Sequence, residues 1–134
     1  MSLRGILSVA GGHPAFRRHL AGLSESNSES PITVRQGARP AYIGCLWRQL
    51  QSPILVLTPR ADDARRLQDQ LLTYLGEGTP IYLLPEPEVL PFERLAVDAH
   101  TGHQRLEALA ALASPPTDAD GGQEPHPLVV TSVG

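Results

Sequence analysis

Apolar and polar positions follow two rhythms along the chain. Residues 40–51 carry Ile43, Leu46, Trp47 and Leu50 at helical spacing, one apolar face on an otherwise mixed segment. Ile54–Leu57 is a run without polar alternation, which suits a strand covered on both faces, as in parallel sheets. A second helix is expected after it. Thr58 caps, Pro59 fits the first helical position, Asp62 and Asp63 complement the positive end, and Ala64, Leu67, Leu71 and Leu75 form a buried stripe that Gly76 ends. Ile81–Leu84 reads as another short strand, and residues 85–100, rich in proline and acid, as a long ordered loop. Thr101 and Gln104 match a capping box before a helix whose apolar face is Leu106, Leu109 and Ala113. Residues 114–127 have loop composition, and Leu128–Thr131 is the last strand. The β-branched residues 32–34 are a strand candidate ahead of this series.

Strand and helix in strict alternation predict an α/β fold, a parallel sheet flanked by helices. The expected organisation is a short helix near residues 14–22 and a polar linker within residues 1–31, then an α/β lobe over 32–134. A buried-type strand three residues before the last one, Gly134, would leave an apolar sheet edge open, which reads as a fragment of something larger.

The chain has 134 residues, 41% of them hydrophobic, enough for one core. Its single cysteine, Cys45, rules out an internal disulfide and a cysteine zinc cluster. No apolar run approaches a membrane span, and residues 1–12 are too poor for a secretory signal, so a cytoplasmic setting is expected. All 11 basic residues are arginine. The absence of lysine excludes a P-loop lysine, a Schiff base and a lysine general base. A net charge of −3 argues against a general nucleic-acid binder, though local arginine patches such as Arg17–Arg18, Arg60 and Arg65–Arg66 stay open to phosphates or acidic partners.

Residues 34–42 join an expected strand to a helix, where P-loop proteins wrap a phosphate. Such a loop needs small residues, a lysine for the phosphates and a hydroxyl for Mg²⁺. Gly37 and Ala38 are small, but Arg39 stands near the lysine position and Pro40 near the hydroxyl position, with neither hydroxyl nor N–H. The loop reads as a degenerate Walker A or an ordinary turn, and nucleotide hydrolysis is not expected. Glu86, Glu88 and Glu93 lie on a proline-rich loop without a partner histidine, and read as solvated. Leu90, Pro91 and Phe92 read as residues that pin that loop to the sheet. His100 and His103 have metal-pair spacing but lack further ligands, and read as surface residues. No catalytic residue, metal ligand or cofactor site is assigned. Two rival classes stay open: a small nucleotide-dependent enzyme with Arg39 in place of lysine, and a DNA-binding module with Arg94 and Arg105 near phosphates.

Taken together, the segments PAFRRHLAGL (14–23), SPILVLTPRADDARRLQDQL (52–71), LLPEPEVLPFERL (83–95) and LVVTSV (128–133) resemble, in order, the extreme N-terminus of the bacterial transcription-repair coupling factor family. The most specific piece is Glu88, Leu90, Pro91, Phe92 and Glu93, followed by a helix with Arg105, Leu106 and Leu109. The resemblance implies a lobe similar to the first motor-like lobe of the excinuclease damage-recognition component UvrB, with the P-loop sheet kept and the nucleotide site lost. It further implies a full-length double-stranded-DNA translocase that displaces stalled RNA polymerase and recruits the excinuclease component UvrA. Its ATP and Mg²⁺ would bind elsewhere, and this lobe, in contact with neighbouring subdomains, would have no activity of its own.

Overall fold

The computed structural model describes residues 3–25, 31–86, 98–113 and 125–133. Five helices and three strands are present among them: α1 (Arg4–Gly12), α2 (Pro14–Glu25), α3 (Arg39–Leu50), β1 (Ile54–Thr58), α4 (Ala61–Leu75), β2 (Ile81–Leu84), α5 (Ala99–Ala113) and β3 (Leu128–Ser132). The sheet is parallel, in the order β1-β3-β2. Register places Leu55 and Tyr82 beside Val129, and Val56 and Leu83 beside Val130.

The central strand carries the densest burial. Leu128, Val129 and Val130 are fully buried, so both faces of β3 are covered. Alternation along the strand sends Leu128 and Val130 to one face, where they join Leu71 and Leu75 of α4, Ile81 and Leu83 of β2, and Cys45 of α3 in one core. Val129 points to the other face, on which α5, with Ala108 fully buried, packs against β2.

α4 forms largely as its stripe predicts. Asp62 and Asp63 occupy the first turn, Ala64, Leu71 and Leu75 are buried, and Gly76 ends the helix at φ 101°, its N–H donating to the Leu72 carbonyl at 2.7 Å. Its N-cap is Arg60 with no side-chain cap, whereas the Thr58 hydroxyl lies 3.0 Å from the Arg60 carbonyl and 3.1 Å from that of Thr131.

α3 is buried through small residues rather than large ones. Pro40, Ala41, Gly44 and Cys45 are its buried positions, while Ile43, Leu46, Trp47 and Leu50 are half-buried. The reason is α1, which packs on α3. A side-chain carbon at Gly44 would lie 3.3 Å from a Leu7 methyl of α1 and 3.6 Å from a Leu75 methyl of α4, so Gly44 marks the place where three helices meet. The Trp47 indole N–H donates to the His126 carbonyl at 2.7 Å, fixing α3 to the approach to β3. At the far end Arg4 Nε donates to the Leu75 carbonyl at 2.9 Å, tying α1 to the last turn of α4.

Five expectations are corrected. Residues 32–34 are not a strand; they run as irregular backbone into a 3₁₀ turn at Gln36–Ala38, and a three-residue β-branched run has no neighbouring strand to pair with there. β1 is covered on one face only: Leu55 and Leu57 are exposed, because α5 packs on β2 and does not extend across β1. The buried line of α5 is Thr101 and Ala108, with Leu106 and Leu109 exposed, since a small residue lets the helix sit close to the sheet. Its cap is Asp98, whose Oδ2 accepts from the Thr101 N–H at 3.0 Å, in place of the Thr101–Gln104 box. Within the predicted long loop 85–100, α5 already starts at Ala99. α1 itself was not signalled by the sequence, having only Leu7 and Gly11 as buried positions.

Candidate functional site

The segment 34–42 does not form a phosphate cradle of the strand-to-helix kind. Gly37 sits in the 3₁₀ turn without positive φ, Ala38 is helical at φ −94° and ψ −11°, and Arg39 opens α3 without a side-chain cap. Pro40 lies in the first turn and is buried. Gly37, Ala38 and Arg39 are exposed, so no side chain of this turn converges on a common point.

The carboxyl ends of the strands are the usual ligand position in open α/β sheets. A shallow recess of about 200 Å³ lies there, against the first turn of α4 and the residues after β2. The Ser132 hydroxyl is hydrogen-bonded to the Glu86 carboxylate across it. The Thr131 hydroxyl donates to the Leu84 carbonyl at 2.7 Å, and the Arg105 guanidinium donates to the Pro85 carbonyl. These contacts strap the exit of β2 to β3 and α5. The recess is lined by both an acid, Glu86, and a cation, Arg65, with Asp62 and Asp63 nearby in the first turn of α4, so its charge is mixed and it is not a dedicated phosphate cradle. Arg105 is thus engaged within the lobe, while Glu88, Leu90, Pro91, Phe92 and Glu93 lie outside the described residues.

The histidine pair does not converge. His103 Nε2 approaches the exposed Glu107 carboxylate at 3.1 Å along α5. Among the described residues no three of His, Cys, Asp and Glu gather around a common point. No described helix is long and apolar enough to cross a membrane.

Cys45 is sealed in the core, 2% exposed, and its thiol donates to the Leu7 carbonyl at 3.3 Å. Burial pushes the thiol above its ordinary range, and the charge of Arg48 opposes this in part. Two outcomes are expected. A thiol reagent at pH 8 should label the native chain about 100-fold more slowly than the unfolded chain. Because folding favours the neutral thiol, its stabilising effect is intact below roughly pH 8.5 and is lost as pH rises through the folded value. The Tyr42 hydroxyl, also raised by burial, adds a loss in the same direction above roughly pH 10. Thermal midpoints from pH 8 to 10.5 should therefore fall less in Cys45→Ala than in the parent; parallel slopes would contradict the assignment.

Two recesses were not foreseen. One, of about 350 Å³, lies between α1 and α3 beside Arg17 and Arg48. The other is an apolar groove of about 800 Å³ between α1, α2, residues 32–38 and α3. Its floor includes Phe16 and Tyr42, whose rings meet edge to face with centroids 5.5 Å apart. The missing sequence signal is α1, without which the groove has no outer wall.

No protein-family profile matches the chain. Over 131 residues, 98% of its length, it is 34% identical to the transcription-repair-coupling factors of Mycobacterium bovis and Mycobacterium tuberculosis. The similarity runs from end to end. The chain spans 10% of the length of these curated relatives. The similarity thus covers every element of the lobe, the sheet together with α1 and α2, and leaves nine-tenths of each coupling factor without a counterpart in this chain.

Proposed function

We propose that this chain is the non-catalytic, P-loop-derived lobe of a transcription-repair coupling factor, part of the module that recruits the excinuclease component UvrA in transcription-coupled nucleotide excision repair. The observation that carries this reading is the 34% identity along 98% of the chain. In it, ATP and Mg²⁺ belong to a motor elsewhere in the protein, RNA polymerase and duplex DNA are met through that larger protein, and the setting is cytoplasmic. Two features support a scaffold rather than an enzyme. The chain has no lysine for a phosphate site, and in the recess at the carboxyl ends of its strands Glu86 stands beside Arg65, its carboxylate held by the Ser132 hydroxyl.

The work of such a lobe is to present a rigid surface to its neighbours. Leu55 and Leu57 project from β1 on the face that α5 covers only at β2, and Leu106 and Leu109 stand exposed on α5. Parallel sheets are ordinarily covered on both faces, so a neighbouring subdomain resting on β1 completes the arrangement. In the full coupling factor, the double variant Leu55→Asp/Leu57→Asp should free the lobe from its neighbour. Faster proteolysis at the lobe boundary and at least 10-fold weaker capture of UvrA are expected, with motor ATPase retained. The same pair in the 134-residue chain should cost about 1 kcal/mol or less per site, because both side chains are already in water. Unchanged capture would remove the scaffold role. ATP turnover by the isolated chain, abolished by Arg39→Ala, would instead establish a nucleotide-dependent enzyme.

A further inference from the structure

Charge is divided unevenly along the chain. Residues 1–60 hold seven of the 11 arginines but only two of the 14 acids. The same stretch supplies α1, α2 and α3, which pack on one another as the outer layer of the lobe. Arg17, Arg18, Arg35 and Arg39 are exposed on that layer. Among the described residues the Arg66–Asp63 ion pair and the His103–Glu107 contact lie elsewhere.

The apolar groove runs through this basic layer. Val9 and Ile32 line it and are 79% and 44% exposed, and among the described residues no carboxylate lines it. Arg35 and the imidazoles of His13 and His19 stand at its walls. The Ala15 N–H donates to His13 Nδ1 at 3.2 Å, which places the proton of a neutral His13 on Nε2. The polar groups at the groove are therefore chiefly donors and cations around an apolar bed.

We infer that this groove docks an acidic amphipathic peptide segment, with its apolar side chains on Val9, Ile32 and the Phe16–Tyr42 floor and its carboxylates toward Arg35 at the wall and the exposed arginines of the same layer, Arg17 among them. The groove is large enough for several aliphatic side chains, at about 800 Å³. Apolar anchors supply the affinity in such grooves, and the surrounding charge supplies orientation and on-rate. A nucleic acid suits it less. Phe16 is 6% exposed and packs edge-to-face on Tyr42, so this pair offers no free face on which a base could stack. The inference rests on charge and burial and is independent of the coupling-factor reading.

The test is fluorescence anisotropy on the 134-residue chain. The probe is a labelled 18-residue peptide with leucine at positions i, i+3, i+4 and i+7 of a repeating helical pattern and glutamate on the other face. Scrambled peptide of the same composition and labelled single- and double-stranded 18-nucleotide DNA serve as competitors. The patterned peptide should half-saturate at about 100 µM or below. At least 10-fold weaker binding is expected for the scramble, for Arg17→Glu/Arg35→Glu and, separately, for Val9→Asp/Ile32→Asp, while Arg66→Glu on α4 leaves binding unchanged. All the substituted side chains are exposed, and an unchanged melting curve verifies the fold of each variant. No saturation by the patterned peptide, equal binding of the scramble, or tighter binding of DNA would each overturn the inference. So would sedimentation showing that the free chain dimerises and that Arg17→Glu/Arg35→Glu abolishes this, since the groove would then belong to a second copy.

Discussion

Val130→Asp should leave the chain without a cooperative unfolding transition at 25 °C. Val130 is fully buried at the centre of β3, flanked by Val56 and Leu83, on the face that packs against α4. A carboxylate there finds no cation in the apolar core and no water. The cost of an unpaired buried charge is several kcal/mol, comparable to the whole stability of a domain of this size. Far-UV circular dichroism against temperature reads the outcome, and Leu57→Asp is the matched control. Leu57 sits one strand away and is 60% exposed, so its variant should melt within a few degrees of the parent. A cooperative melt for Val130→Asp near the parental midpoint would show that β3 is not the centre of the sheet.

Gly76→Ala should be the most damaging of the glycine substitutions, lowering stability by about 3 kcal/mol. Gly76 ends α4 at φ 101° and ψ 156°, a conformation that residues with a side chain scarcely adopt. The added methyl would also stand 2.8 Å from an Arg4 guanidinium nitrogen. Arg4 would have to move, and with it the Nε–H bond to the Leu75 carbonyl that joins α1 to α4. Backbone strain and the lost tie add together. Gly78→Ala is the informative comparison: its φ is 89°, yet nothing lies near the added carbon. It should report strain alone and fall short of Gly76→Ala. A midpoint decrease of about 10 °C is expected for Gly76→Ala. Equal effects at the two positions would show that the Arg4 contact contributes nothing.

The elements that could be read from sequence are those in which one local signal dominates. α4 has acids at its start, an apolar stripe with period 3.6 and a terminal glycine, and all of these signals agree. The uninterrupted apolar run of β3 matches burial on both faces. β1 carries the same kind of run, yet one of its faces is open, because coverage is a property of the neighbouring helix and not of the strand. α5 offered two apolar stripes, and the larger residues suggested the wrong one. Close packing on β2 selected Ala108 over Leu106 and Leu109. α3 shows the same bias, since Gly44 and Cys45 are deeper than Leu46 and Trp47. Size-weighted reading finds where apolar mass lies, whereas helix–helix approach is set by where it is missing.

The candidate sites were less legible. Arg39 and Pro40 gave a local reason to doubt a phosphate loop, but the exposed 3₁₀ turn that replaces it depends on the absence of a strand at 32–34. Arg105 was singled out as part of a motif, and its role here is to hold the Pro85 carbonyl. The groove on the basic layer needs four consecutive segments folded against one another, among them a glycine-rich helix with little pattern of its own.

The order β1-β3-β2 has a consequence for how the chain is made. β1 and β2 are neighbours in sequence but share no hydrogen bonds, and each pairs only with β3. During vectorial synthesis, then, no two strands of this sheet can pair until residues 128–132 have left the ribosome. Up to that point α1–α4 can gather only as a helical cluster around Leu7, Leu71 and Leu75, with the apolar runs of β1 and β2 waiting unpaired. Pairing of these strands waits on β3 over a long sequence separation, which favours slow folding and places the exposure of β1 and β2 to aggregation in the interval before β3 arrives.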